Sequence, residues 1–188
     1  MEREWPNENL QSNTVLSRTD AAYVAGFVDG EGTFTIVRSK RSGRRALGWQ
    51  YQPCFSVANS DLELLLSIRR TCGNGRIQSN YHRKELQHRT VYQLKFWAHQ
   101  MRHLIPQLLP YLRGKQRQAD ILLKYLGHVK RAEGTAKPLS YWQAVENMRV
   151  EIANLNIRGN REPQVPDAIV LADSRQGNNQ WQRSRGSA

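Results

Sequence analysis

The sequence predicts an α+β domain, and two patterns carry that prediction. Residues 33–39, 49–58, 76–80 and 90–97 alternate apolar and polar side chains, which is typical of strands with one face on a core. The segments before, between and after them repeat apolar residues at helical spacing. The resulting order is helix, two strands, helix, two strands and further helices, which fits one folded unit within 188 residues.

The first predicted helix starts at Ala21, with Thr19 or Asp20 as its N-cap, and carries a stripe of small residues. It belongs to the segment AYVAGFVDGEG, residues 22–32. The residues on or beside this stripe are Ala22, Ala25, Gly26, Asp29 and Gly30. Small side chains let two helix backbones approach closely, and glycine inside a helix costs about 1 kcal/mol relative to alanine. We therefore expect a close helix–helix contact here, with an ordinary buried helix as the alternative.

The same helix ends in acidic residues. A carboxylate at a helix C-terminus faces the negative end of the helix dipole, which is unfavourable unless a cation lies nearby. This position makes Glu31 a candidate metal ligand.

Four further helices complete the predicted order. Ser60 and Asp61 are the N-terminal cap of the second helix. Pro106 is expected to interrupt the third helix. The predicted bounds are Leu62–Thr71, His99–Leu109, Lys115–Arg131 and Leu139–Leu155.

The composition indicates an anionic partner. The chain has 28 Lys and Arg against 16 Asp and Glu, a formal net charge of +12 and a pI near 10.2, a balance typical of nucleic-acid binding. Two cysteines, Cys54 and Cys72, are too few for a disulfide framework, so we expect a reducing compartment. Residues 1–20 lack a signal-peptide core, and the apolar run 21–28 is too short to span a bilayer. The prediction is therefore an intracellular protein with no membrane partner.

The outward faces of the strands are rich in residues that bind nucleic acid. They carry Gln, Asn, Ser, Thr, Arg and Lys but no Asp or Glu, and such side chains hydrogen-bond to base edges and phosphates. A merely solvated sheet face is the alternative. The predicted DNA contacts on the strands, their loops and one later helix are Thr33, Thr35, Val37, Arg38, Ser39, Lys40, Arg41, Arg44, Arg45, Gln50, Gln52, Cys54, Ser56, Ala58, Arg76, Gln78, Asn80, Arg89, Val91, Gln93, Lys95 and Arg117.

Three segments are expected along the chain. Residues 1–18 form a flexible arm and residues 19–156 form the folded domain. Residues 157–188 are rich in Arg, Asn, Gln, Gly and Pro, which predicts a disordered basic tail that contacts DNA.

Two motifs give the chain a family resemblance. Residues 23–32 resemble the LAGLIDADG motif of homing endonucleases. Residues 109–122, LPYLRGKQRQADIL, resemble a second conserved stretch of the single-motif, homodimeric branch of that family. The resemblance covers about residues 20–156. It implies the αββαββα LAGLIDADG fold, with an antiparallel, saddle-shaped sheet, helices on one face, and a homodimer.

The resemblance also implies roles for individual residues. Glu31 matches the divalent-metal ligand of the family, assisted by the backbone carbonyl of Gly30. Asp29 matches a structural acid that holds the helix end. Lys115 matches the basic residue near the catalytic water and the scissile phosphate, and Asn59 is placed to orient that water.

A single copy of the motif implies that two identical subunits complete one active site. The implied partner is a long, nearly palindromic DNA duplex of about two helical turns, cut on both strands to leave short 3′ overhangs. The implied cofactor is Mg²⁺ or Mn²⁺, with Ca²⁺ supporting binding without cleavage. The implied setting is intron mobility in a bacterial or archaeal cytoplasm or in an organelle.

Two other functions remain open at this stage. A relative of the same fold could bind without cutting, as an intron-splicing maturase that holds RNA or as a DNA-binding regulator. A basic, ribosome-associated structural protein is the other alternative, but it would not explain a small-residue stripe that ends in an acid.

Overall fold

The computed structural model describes residues 14–40, 49–80, 90–131, 137–157 and 162–166. Its elements, in chain order, are α1 (Arg18–Glu31), β1 (Gly32–Lys40), β2 (Trp49–Asn59), α2 (Leu62–Cys72), β3 (Arg76–Asn80), β4 (Val91–Phe96), α3 (Ala98–Leu108), α4 (Gln116–Arg131) and α5 (Leu139–Leu155). This order confirms the predicted α+β class and the αββαββα succession.

The four strands form one sheet in the order β1-β2-β4-β3. Strand β4 pairs antiparallel with β2, where Phe55 lies opposite Phe96, and with β3, where Ile77 lies opposite Leu94. In both pairings residues of the same apolar face lie opposite one another, which agrees with the period-two alternation of the strands.

The structure divides into two compact units, each built from two stretches of chain. The first unit contains the chain up to Phe34 and residues Cys54–Leu123. In its core the rings of Phe34, Phe55 and Phe96 stack in sequence, with centroids 4.5 and 4.8 Å apart. Such aromatic pairs stabilise the sheet beyond their buried area. Helices α1, α2 and α3 each bury apolar residues in this unit.

The second unit contains Thr35–Pro53 and the chain from Lys124 onward. Tyr125 on α4 is buried, and its hydroxyl donates to the backbone carbonyl of Tyr51 on β2, at 2.9 Å. Val145 and Ile152 on α5 are buried as the helical periodicity predicts. The aromatic ring of Tyr51 also lies 6.1 Å from that of Trp142 on α5.

The start of α1 differs from its predicted position. Ser17 is the N-cap, and its hydroxyl accepts a hydrogen bond from the Asp20 N–H at 3.1 Å, so the helix begins at Arg18 rather than Ala21. The residues just before it are also fixed, because the Leu16 N–H donates to Gln107 Oε1 of α3 at 2.7 Å. Residues 1–13 lie outside the described ranges, and the flexibility predicted for residues 1–18 stays a prediction.

Helix α3 continues through Pro106, contrary to the expected interruption. Proline lacks the N–H that would bond to the preceding turn, a loss of about 3 kcal/mol in a helix interior. Pro106 itself is exposed, whereas Leu104, Ile105 and Leu108 of the same helix are almost completely buried. The burial of this apolar face offsets the missing hydrogen bond.

The other boundaries lie close to their predicted positions. Asp61 caps α2 by accepting from the Leu64 N–H at 3.1 Å, and Gly73 ends that helix with a φ of 69°, where glycine carries no steric penalty. Helix α5 has the predicted bounds. Within the described part of the chain, no helix is both long enough and apolar enough to cross a membrane.

Most of the predicted C-terminal tail lies outside the described residues. The described segment 162–166 is attached to α5, because the Asn154 side-chain amide pairs with both backbone polar groups of Gln164, at 2.7 and 3.0 Å. The disorder expected for the rest of the tail stays a prediction.

Candidate active site and nucleic-acid interface

The C-terminal end of α1 is held by Asp29. Its carboxylate accepts hydrogen bonds from the backbone N–H groups of Arg113, at 2.7 Å, and Lys115, at 2.9 Å. Partial burial acts to raise the pKa of Asp29, but these bonds, together with the Gly114 backbone and the Lys115 charge, hold the pKa below its ordinary value. Asp29 therefore fixes the turn before α4 to the end of α1 as an ionised carboxylate.

Lys115 supplies a positive charge at the same helix end. Its ammonium donates to the backbone carbonyls of Val28 at 3.0 Å, Asp29 at 2.6 Å and Gly30 at 3.3 Å. These carbonyls belong to the last turn of α1, where a cation is stabilised by the helix dipole. The acidic helix end predicted a nearby cation, and the structure places a lysine there that lies 85 to 87 residues away in sequence.

Glu31 is the last residue of α1, and its side chain is exposed. The helix is followed directly by β1, without a connecting loop, and the buried Gly32 makes the junction. A Cβ atom at Gly32 would lie 2.6 Å from the Val28 carbonyl oxygen and 2.7 Å from Val28 Cγ1. Only glycine fits this junction without a shift of α1 against β1, and the junction presents Glu31 to solvent.

The donor atoms at this helix end suit a hard divalent cation. Glu31 offers a carboxylate and Gly30 offers a backbone carbonyl, and Mg²⁺ prefers such oxygen ligands while retaining several waters. Across the described ranges, no group of three His, Cys, Asp or Glu residues could hold a metal ion. A cation bound here would complete its coordination with water, DNA phosphate or a second chain.

Asn59 has a local structural contact in this chain. It ends β2, is half-buried, and its side-chain oxygen accepts from the Asp61 N–H at 2.8 Å. This bond forms the turn that leads into α2. A role for Asn59 toward a catalytic water stays a prediction.

At three positions, the small-residue stripe of α1 lies on the surface of the chain and not in its hydrophobic core. Ala22, Gly26 and Gly30 are exposed, while Ala25 is fully buried. An added Cβ at either glycine would meet nothing within 4 Å. The described part of the chain therefore does not supply the close helix packing that these glycines indicate. This surface of α1 is open to another molecule.

The predicted DNA-binding residues divide into several groups. Thr33, Val37, Ser39, Lys40, Gln50, Gln52, Arg76 and Arg117 are exposed. Thr35, Cys54, Ala58, Gln78, Val91, Gln93 and Lys95 are half-buried. Arg41, Arg44, Arg45 and Arg89 lie outside the described residues, and the side chain of Asn80 is likewise not described.

Two predicted contacts are not presented to solvent in the expected way. Ser56 is only 2 % exposed, and its hydroxyl accepts from the Gln93 amide at 2.9 Å, so its polar group bonds within the sheet. Arg38 has the same strand parity as the buried Ile36, and its guanidinium pairs with the buried Glu146 at 3.1 Å. The alternation along β1 therefore places Arg38 on the inner face, unlike Val37 and Ser39.

Comparison with known proteins identifies the family. The LAGLIDADG endonuclease family model matches residues 24–126, which is more than half of the chain. The chain therefore belongs to the LAGLIDADG endonuclease family. A search of proteins with curated functions gave no match.

Solved structures of homing endonucleases share the fold. The archaeal intron-encoded enzyme I-Vdi141I, complexed with DNA, is 20% identical, with a TM-score of 0.68 over 86% of this chain and 98% of its own. I-CvuI, solved with the I-CreI target in the presence of Mg and with the DNA not cleaved, is 18% identical, with a TM-score of 0.64 over 87% and 94%. The group I intron-encoded I-CeuI, complexed with DNA, is 14% identical, with a TM-score of 0.58 over 87% and 78%.

Proposed function

We propose that this chain is a site-specific homing endonuclease that acts as a homodimer. It cleaves both strands of a long, nearly palindromic DNA duplex by divalent-metal-dependent hydrolysis and so promotes the mobility of its host intron. The observation that carries the proposal is the end of α1, where the exposed Glu31 directly follows the residues whose carbonyls bind the Lys115 ammonium.

The chemistry of phosphodiester hydrolysis requires these residue types. A bound divalent cation makes a water molecule more acidic and neutralises charge on the phosphate oxygens. Glu31 and the Gly30 carbonyl would hold that cation, with Mg²⁺ or Mn²⁺ as the active metal and Ca²⁺ supporting binding alone. The Lys115 ammonium lies 3.3 Å from the Gly30 carbonyl oxygen, so its charge lies next to the proposed metal ligands and near a phosphate bound there.

The proposed partner surfaces are DNA and a second copy of the chain. One exposed carboxylate per chain does not make a metal centre, whereas a two-fold axis along the α1 stripe would bring two Glu31 side chains together. The exposed polar residues on the strands would then read the major groove, and the net charge of +12 favours binding to the phosphate backbone.

The test is cleavage of a DNA duplex library by the wild-type chain and by Glu31→Gln, with Glu151→Gln as the matched control. Glu151 is an exposed carboxylate on α5, so its exchange removes the same charge from a different helix. We expect specific double-strand breaks with Mg²⁺ for the wild type and the control. Glu31→Gln should lose about 100-fold or more in rate while it binds the same DNA in Ca²⁺.

Two results would contradict this proposal. Cleavage by Glu31→Gln at the wild-type rate would remove Glu31 from the site. A wild-type chain that binds DNA or RNA specifically but cuts neither would instead be a binding relative, such as a maturase or a regulator.

A further inference from the structure

The second unit contains a buried carboxylate that the proposed chemistry does not use. Glu146 on α5 is 0% exposed, and each of its two oxygens accepts two hydrogen bonds. Oε1 accepts from Arg38 Nη1 at 3.1 Å and from Arg149 Nη2 at 2.8 Å. Oε2 accepts from the Tyr51 hydroxyl at 2.9 Å and from Arg149 Nε at 2.9 Å.

This cluster ties α5 to both strands that flank residues 41–48. Arg38 lies near the end of β1 and Tyr51 lies near the start of β2. The Arg38 guanidinium also lies 4.5 Å from the ring centre of Trp49, which holds it from a second side. One carboxylate therefore fixes the end of β1 and the start of β2 at the same time.

A gain in folding free energy does not by itself explain why the chain buries these charged side chains together. Burying charged groups costs several kcal/mol per ion, and well-packed apolar residues often replace a buried ion pair without loss. What the cluster provides is directional geometry, because a carboxylate with four donors holds both strand ends in one arrangement. Glu63 and Glu151, in contrast, are exposed glutamates.

Side chains alternate between the two faces of a strand. Holding Arg38 and Tyr51 on the inner face therefore also orients their neighbours on the outer face. Arg38 lies between Val37 and Ser39 on β1, and Tyr51 lies between Gln50 and Gln52 on β2. These four neighbours are exposed, and they point to the other face of the sheet from the residues that Glu146 holds. They are also among the DNA contacts predicted from the sequence.

We propose that Glu146 is a positioning residue for DNA recognition. It does not touch DNA; it sets the orientation of the exposed residues near the end of β1 and the start of β2 and so determines base-pair discrimination there. This inference rests on the proposed function. Loss of the Glu146 carboxylate would remove the acceptor that Arg38 and Tyr51 share, so the exposed neighbours of both residues would no longer be held in one arrangement.

The experiment measures Ca²⁺-supported binding to the best library duplex and to its full set of single-base-pair variants. The wild type, Glu146→Gln and the matched control Glu151→Gln are compared. A mismatch at a contacted position typically reduces affinity roughly tenfold or more. We expect Glu146→Gln to reduce this discrimination to about twofold at one contiguous block of positions in each half-site, with the other positions unchanged.

Tyr51→Phe keeps the inference testable if Glu146→Gln fails to fold. It removes one hydrogen bond and leaves both arginines paired, so it should weaken discrimination at the same block of positions to a smaller extent. Equal loss at all positions, or unchanged discrimination in a folded variant, would show a merely structural role and overturn the inference alone. A wild-type chain that discriminates between no duplexes would overturn both the inference and the proposed function.

Discussion

Two carboxylates at the end of α1, only two residues apart, have different environments. Asp29 accepts backbone hydrogen bonds from the turn before α4, and its charge is matched by the nearby Lys115. Glu31 is exposed. The difference follows from the direction in which each side chain leaves the helix, so the first acid is structural and the second is accessible to a ligand.

Replacing Asp29 by Asn should destabilise the chain by about 1–3 kcal/mol, because an amide cannot accept the same charge-assisted bonds. The backbone bonds hold the folded-state pKa of Asp29 below 3.8, so its contribution is complete above about pH 4 and is lost as the pH falls through the folded value. The difference in unfolding free energy between wild type and Asp29→Asn should therefore shrink between pH 7 and pH 3. Urea unfolding of both proteins at several pH values measures this difference in unfolding free energy.

Glu31→Gln is the matched control for that experiment, because it makes the same exchange two residues away on an exposed side chain. Its unfolding free energy at pH 7 should equal that of the wild type. An Asp29→Asn variant as stable as Glu31→Gln would mean that the bonds to Arg113 and Lys115 do not hold the turn.

At the scale of elements, the junction of α1 and β1 decides where the candidate site lies. The helix passes into the strand at Gly32, whose N–H donates to the Val28 carbonyl. Because there is no loop between them, the position of β1 fixes the end of α1.

Gly32→Ala should destabilise the chain, because the new methyl group would lie 2.6 Å from a backbone oxygen and 2.7 Å from Val28 Cγ1. Overpacking of this kind costs about 1–3 kcal/mol, and thermal unfolding measures it as a lower midpoint. Gly127→Ala on α4 is the control, since nothing lies within 4 Å of a Cβ there. That variant should be neutral or up to about 1 kcal/mol more stable, and an equal effect of both exchanges would contradict the steric argument.

At the scale of the whole molecule, three features of the chain fit the homodimer proposed above. The stripe of α1 is open, the candidate metal ligand occurs once among the described residues, and the net charge is strongly positive. A second copy facing this stripe would cover the open helix surface and double the carboxylates at one centre.

Gly26→Leu should fold but fail to dimerise. The leucine would meet no atom within 4 Å at its Cβ, so the monomer tolerates it, whereas two backbones in close approach leave no room for it. Analytical ultracentrifugation should show a monomer, and DNA cleavage should be lost. Gly127→Leu makes the same exchange on α4, where an added Cβ likewise meets nothing within 4 Å, and it should stay dimeric and active. A dimeric, cleaving Gly26→Leu would refute the helix-pair interface.

Local patterns were sufficient to predict the elements. The alternation of Phe55 and Val57 with their polar neighbours placed β2, and the apolar spacing placed α5 at its observed bounds. The resemblance of residues 23–32 to a family motif singled out Glu31. The start of α1 was wrong because Ser17, Thr19 and Asp20 are all good caps, and only the position of the chain against α3 selected Ser17.

The amino-acid sequence by itself determined the order of the elements, the apolar face of each strand and the acid at the tip of α1. These features depend on neighbours a few residues apart, where side-chain periodicity is the governing physics. Only the tertiary structure decided that Lys115 binds the carbonyls of α1 and that Glu146 joins Arg38 to Arg149. Residues 38 and 146 are 108 positions apart in sequence. A charged side chain is buried only together with a partner, and only the folded chain brings these two residues into contact.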